Sequence, residues 1–157
     1  MNPIKPVKGL NWGAGAISTA SWGGVLLRDV LDYAGFEESA PGVAHIHFVG
    51  LDNDPLTGEV YAASIPVHKA ASRECDVLLA FEMNGGPLPR DHGAPVRLVA
   101  PGIIGARNVK WLGRVVASAE ECQGFWQQRD YKVWTGLAVA LVRVWGLGSV
   151  VCIWVWI

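Results

Sequence analysis

Residues 83–110, MNGGPLPRDHGAPVRLVAPGIIGARNVK, gather Arg90, Asp91, His92, Arg97, Arg107 and Lys110 among turn formers. Asn84, Gly85, Gly86, Pro87 and Pro89 precede the charged triplet, and Gly93, Gly102 and Gly105 are spread between the later cations. Such a mixture makes a poor core and suits a loop-built site for an anion. Arginine grips phosphate or carboxylate through a bidentate fork, lysine acts as a point charge, and glycine lets backbone N–H groups come close. Taken singly, the same residues have ordinary readings: Asp91 with Arg90 as a turn pair, Arg107 as a surface arginine, Tyr131 as a tip residue with a buried ring.

Other groups able to do chemistry are sparser. Asp52 and Asp54 could act as an acid/base pair or start a calcium loop. The calcium motif requires further oxygen ligands and a closing Glu at fixed spacing, which are missing, so Asx-type turn chemistry is expected. His45 and His47 share one face of an alternating segment. With no third ligand nearby, a hydrated or hydrogen-bonded face is expected rather than a metal site. Cys75, Cys122 and Cys152 are odd in number and form no CxxC or Cys/His ligand spacing, which argues against zinc and against a disulfide framework.

The elements that must position these groups are read from periodicity. The segment VLLRDVLDYAG sets Leu27, Val30, Leu31 and Ala34 at helical spacing and ends on Gly35, predicting a helix over 24–34 with a solvated face of Arg28, Asp29 and Asp32. In VAHIHFVG, Ala44, Ile46 and Phe48 alternate with His45, His47 and Val49, which predicts a strand. The turn-rich GLDNDPLTG leads to a second strand, EVYAASIPV, followed by a short helix over 67–73 and a buried strand, CDVLLAFEM. VKWLGRVVAS reads as another strand, and AEECQGFWQQRDYK as a short helix or loop. About five strands with few, short helices predict an α+β or mostly β domain over 1–132.

Composition bounds the function classes. The 157 residues are 51% hydrophobic and 17% charged, as expected of a globular chain with one core, and the net charge of −1 gives no general attraction to nucleic acid. The segment 133–157, VWTGLAVALVRVWGLGSVVCIWVWI, is set apart by its apolar character. Residues 137–157 reach the length of about 20 residues that spans a bilayer. Arg143 and the internal glycines weigh against a membrane anchor, and an aberrant end to the reading frame fits better.

The motif NGGPLPRDHGAPVRLVAPGIIGARNVKWLGRV, together with KGLNWGAGAISTASWGG, GLDNDP and QQRDYK, resembles the molybdopterin domain of the sulfite oxidase family, in register over about 5–132. The Pro89, Arg90, Asp91, His92 core and the later Arg129, Asp130, Tyr131 element follow the sulfite oxidase pattern rather than that of assimilatory nitrate reductase, which is the related alternative. The resemblance implies a pyranopterin-dithiolene cofactor carrying molybdenum, with sulfite oxidised to sulfate by oxygen-atom transfer. Asp52 is similar to the family's pterin-contacting aspartate, His92 and Arg97 to its cofactor-binding histidine and arginine, and Asn108, Val109 and Lys110 to its cofactor-contacting tripeptide. Tyr131 resembles its active-site tyrosine.

The family's metal-holding cysteine lies on a CAGNRR segment ahead of the KGLNW-like element. It is absent from these residues, and no cysteine here stands in a matching context, so no metal ligand is assigned. The haem domain of animal forms and the immunoglobulin-like dimerisation domain are likewise absent, and a fragment incomplete at both ends is expected. A catalytically inactive cofactor-binding or interaction module is the alternative from another class. The resemblance also implies a homodimeric parent in the mitochondrial intermembrane space, with the peroxisome or periplasm as alternatives.

Overall fold

A computed structural model of the chain describes residues 18–131. Seven strands and two short α-helices form two antiparallel sheets among these residues. One sheet joins β1 (Trp22–Leu26), β4 (Leu78–Met83) and β5 (Gly86–Pro87), with β6 (Arg97–Val99) pairing against β4. The other has the order β3 (Val60–Pro66), β2 (His45–Asn53), β7 (Leu112–Ser118). This is the strand-rich α+β architecture that the sequence predicts.

β4 opens on an apolar run, Leu78–Phe81, whose first three residues are buried. Leu79 joins a core with Leu27, Ile46, Phe48, Ile65, Leu98 and Val109, while Leu78 and Ala80 pack on the other side with Trp22, Leu88 and Val99. Residues 78–80 are thus buried on both faces, and the strand then emerges to the exposed Phe81 and Glu82. β2 alternates instead. Ile46 and Phe48 are fully buried in the core, and His45 and His47 lie on the opposite face. There His47 Nε2 donates to the Glu120 carbonyl at 2.7 Å, the hydrogen-bonded role expected of it.

The helix expected over 24–34 is shorter, α1 (Leu27–Tyr33), because residues 22–26 are a strand. Gly24 decides this. A Cβ there would lie 2.2 Å from the Leu79 carbonyl oxygen, so the bulged pairing of β1 with β4 brings two backbones closer than any side chain allows. At the other end Gly35, at φ +74°, closes a Schellman motif: the Gly35 N–H donates to Asp32 O and the Phe36 N–H to Leu31 O. Asp29 and Asp32 are exposed, as expected, and both pair with Arg73.

The helix expected over 67–73 divides into α2 (Val67–Ala70) and a separate 3₁₀ turn, Arg73–Cys75, capped by the Ser72 hydroxyl accepting from the Glu74 N–H. β1, β5 and β6 are not among the strands named from the sequence: β5 and β6, of two and three residues, carry too little periodicity to be seen, and β1 is interrupted by Gly23 and Gly24. The segment read as a short helix or loop holds a π-helical turn, Trp126–Asp130. Residues 133–157 and Cys152 lie outside the described residues. Among those described, no helix is long and apolar enough to cross a membrane.

Candidate functional site

The ends of both sheets and the loops between them line a cavity of about 510 Å³. Trp22 comes from β1, Asp52 from the end of β2, Tyr61 from the start of β3, and His92, Arg97, Asn108, Lys110, Trp111 and Tyr131 from later segments. Six of the seven site residues picked out in the sequence therefore meet in one place. Val109 is the exception. Its side chain is buried in the core and its carbonyl accepts from the Leu98 N–H at 2.8 Å, which leaves little but backbone for a ligand.

Arg97 is held by carbonyls. Its guanidinium donates to Leu98 O at 3.3 Å, His92 O at 3.0 Å and Asn108 O at 3.3 Å, and it lies 4.7 Å over the Trp22 ring. Lys110 Nζ donates to Asp91 O at 3.0 Å and lies 4.3 Å from the centre of the Trp111 ring. Among the described residues no ion pair joins either cation to a carboxylate. Burial lowers Arg97 to about 10, so it is still charged at neutral pH. Dipoles and ring faces orient both charges without neutralising them, which leaves their field available to an anion in the cavity.

The loops are shaped for this arrangement. Gly93 has φ +110°, and a Cβ there would come within 2.8 Å of the Lys110 Cβ, so the RDHG turn needs glycine to let Lys110 pass. Trp111 adopts φ +48°, a conformation that costs a bulky residue energy, and its Nε1 donates to Arg90 O at 3.0 Å. Asn108 spends its side chain on the loop: Oδ1 accepts from the Ala100 N–H at 2.6 Å and Nδ2 donates to Ile104 O at 3.1 Å. Asp52 Oδ1 is buried at the cavity wall with no hydrogen-bond partner. An acceptor left so is costly, and a ligand N–H would relieve it.

Tyr61 was not singled out in the sequence. Its hydroxyl donates to Ala106 O at 2.6 Å, and burial pushes the phenol up to about 12. Nothing in EVYAASIPV distinguishes this tyrosine from a strand aromatic. Trp22 and Trp111 were also missed as cavity walls, since their partnership with Arg97 and Lys110 exists only across the fold. Asp54 takes the turn role expected of it: its Oδ1 accepts from the Leu56 N–H at 2.8 Å and its Oδ2 from the Trp126 indole. Arg107 is no surface arginine, since its side chain is only 18% exposed and faces Glu121. Cys122 is buried beneath Ser64 and Cys75 sits in the 3₁₀ turn; neither lines the cavity.

Fold and cavity together define a domain with a cavity suited to an anionic ligand rich in hydrogen-bonding groups. A family profile described as oxidoreductase molybdopterin binding domain matches residues 1–126, and the chain belongs to that family. It is 59% identical over 132 residues to sulfite oxidase of Gallus gallus, covering 84% of this chain and 28% of that protein. It is 58% identical to the mitochondrial sulfite oxidase of Homo sapiens, covering 84% of this chain and 24% of that protein. Nitrate reductase [NADH] 2 of Phaseolus vulgaris is 40% identical over 133 residues, covering 84% of this chain and 15% of that protein. Among solved structures, the sulfane dehydrogenase SoxCD of Paracoccus pantotrophus superposes with a TM-score of 0.56 at 31% identity, covering 67% of this chain and 24% of that one. The chain thus spans about a quarter of the length of the sulfite oxidases it matches.

The residues present fit the family's cofactor. Molybdopterin is a phosphorylated pterin, whose N–H groups suit the unpartnered Asp52 oxygen and whose phosphate suits Arg97 and Lys110. No cysteine lines the cavity among the described residues.

Proposed function

We propose that this chain forms part of the molybdopterin clamp of a sulfite oxidase. The observation that carries the reading is the pairing, in one cavity, of two cations without carboxylate partners and one buried carboxylate oxygen without a donor. Greater identity to sulfite oxidases, 58–59%, than to the nitrate reductase, 40%, supports sulfite as the substrate.

In this reading Asp52 accepts a pterin N–H and Arg97 and Lys110 hold the phosphate. His92 faces the same ligand, while Asn108 and Val109 keep the wall in place through their loop and core contacts. Tyr131, at the cavity edge, offers a phenol O–H to a sulfite oxygen. When bound, the molybdenum-pterin group supplies the oxygen atom that turns sulfite into sulfate and takes up the two electrons released. Homodimerisation through a further domain and residence in the mitochondrial intermembrane space belong to the same proposal. Relatives named as mitochondrial support the compartment.

Expression in a host that makes the molybdenum cofactor tests the reading. The chain is expected to copurify with pterin, and Arg97→Ala combined with Lys110→Ala to lose it at least tenfold, since hydrogen bonds to charged groups contribute about 1.5–3 kcal/mol each. Sulfite-dependent reduction of an added acceptor, lost in Tyr131→Phe, would establish the activity. Bound pterin without sulfite oxidation would favour a cofactor-binding module, and absence of pterin would overturn the clamp.

A further inference from the structure

Tyr131 follows a turn that is anchored on the edge strand of the second sheet. The turn Trp126–Asp130 is π-helical, with the Tyr131 N–H donating to Trp126 O at 2.9 Å, and π turns concentrate at functional sites. Beneath it, Gln127 is 2% exposed and Ser64 of β3 is fully buried. Gln127 Oε1 accepts from the Ser64 N–H at 2.6 Å, and its Nε2 donates to Ser64 Oγ at 2.8 Å and to Glu121 Oε1 at 2.7 Å. One carboxamide thus pairs the open edge of β3 and, together with Gln128 Nε2 at 3.4 Å from Oε2, holds the Glu121 carboxylate.

The chain of contacts continues to the cavity. Glu121 Oε1 lies 3.5 Å from Arg107, and Arg107 in turn donates to the Tyr131 carbonyl at 3.3 Å. Arg107 belongs to the turn Gly105–Arg107, where Gly105 and Ala106 line the cavity and Ala106 O accepts from Tyr61. Its buried Nε has no partner, so its terminal N–H contacts set its direction. Trp126 adds a ring 6.1 Å from that of Tyr131.

We propose that Gln127 is a positioning residue, acting through Glu121 and Arg107 to set Tyr131 against the cavity. The inference rests on the reading of Tyr131 as an active-site group. Its geometric content is independent of turnover. A buried network of this kind is sensitive to loss of one member, because the groups left behind lose partners that water cannot replace.

The test reads the tyrosine itself. The chain has three tyrosines, so fluorotyrosine labelling gives three ¹⁹F resonances, assigned with Tyr33→Phe, Tyr61→Phe and Tyr131→Phe. In the full chain, Gln127→Leu and Gln127→Glu are expected to move the Tyr131 resonance toward that of the free amino acid and to speed its nitration by tetranitromethane. The resonance of Tyr61, which shares the cavity but is held by Ala106 O, should stay, with Tyr33 as the exposed reference at 95%. Glu121→Gln should give the same selective shift; Arg107→Met should also move Tyr131, and Arg107→Lys less, with Tyr61 read only in the Gln127 and Glu121 variants because Arg107 acts on it directly. These variants carry the test if those at Gln127 fail to fold. An unmoved Tyr131 in any folded Gln127, Glu121 or Arg107→Met variant overturns the proposal. So does a joint shift of Tyr61 and Tyr131, which would mark general loosening. If Tyr131→Phe leaves sulfite oxidation intact, the functional reading of Tyr131 fails while its positioning is still measured.

Discussion

At Gly93 a single hydrogen in place of a side chain allows the RDHG turn and Lys110 to share space. Alanine there would combine an unfavourable φ of +110° with a 2.8 Å approach to the Lys110 Cβ. Gly93→Ala is expected to cost about 1–3 kcal/mol in urea unfolding, and to lower pterin content by displacing Lys110. Unchanged stability and unchanged pterin would show that the turn has room to relax. Arg97 and Lys110 illustrate the same scale from the opposite side, since their usefulness depends on what they do not touch. A neighbouring carboxylate would neutralise either one; carbonyls and indole faces do not.

Among the elements, the β2–β3 loop and the π turn are coupled through Asp54. The Leu56 N–H first, and then the Trp126 indole and Thr57, hold its carboxyl below the usual carboxylate range. A carboxyl whose folded value is lowered adds stability that is present above about pH 4 and is lost as pH falls through the lowered value. Asp54→Asn should therefore lower the melting temperature at neutral pH, and the gap to the parent chain should close in acid. A gap that stayed constant down to low pH would mean that packing, not charge, holds the turn. β2, β3, β4 and β7 were legible because each runs long enough to show alternation or an apolar run. β1 was not. WGGVL has glycine where a periodic strand has side chains, and only the approach of β4 gives those glycines their purpose.

The described residues are held by a core in which Phe48, Ile46, Ile65 and Leu98 are fully buried. It joins α1 and both sheets, so the cavity at the sheet ends depends on it. Phe48→Ala should destabilise by about 3–5 kcal/mol in urea unfolding. Retention of the parent midpoint would show that these sheets are stabilised elsewhere.

The sequence by itself determined the family, through a long motif whose turns, glycines and cations are local in character. It also determined six residues that meet in the cavity, because the motif carries their identities. Only the tertiary structure decided what those residues have as neighbours. It turned Val109 into the core, gave Trp22 to Arg97 and Tyr61 to the loop at Ala106, and tied Tyr131 through Arg107 and Glu121 to a glutamine at the edge of the second sheet. Burial and pairing are set by which distant strands pack together. Local pattern does not encode that, so a side chain's type can be read from the chain while its partner cannot.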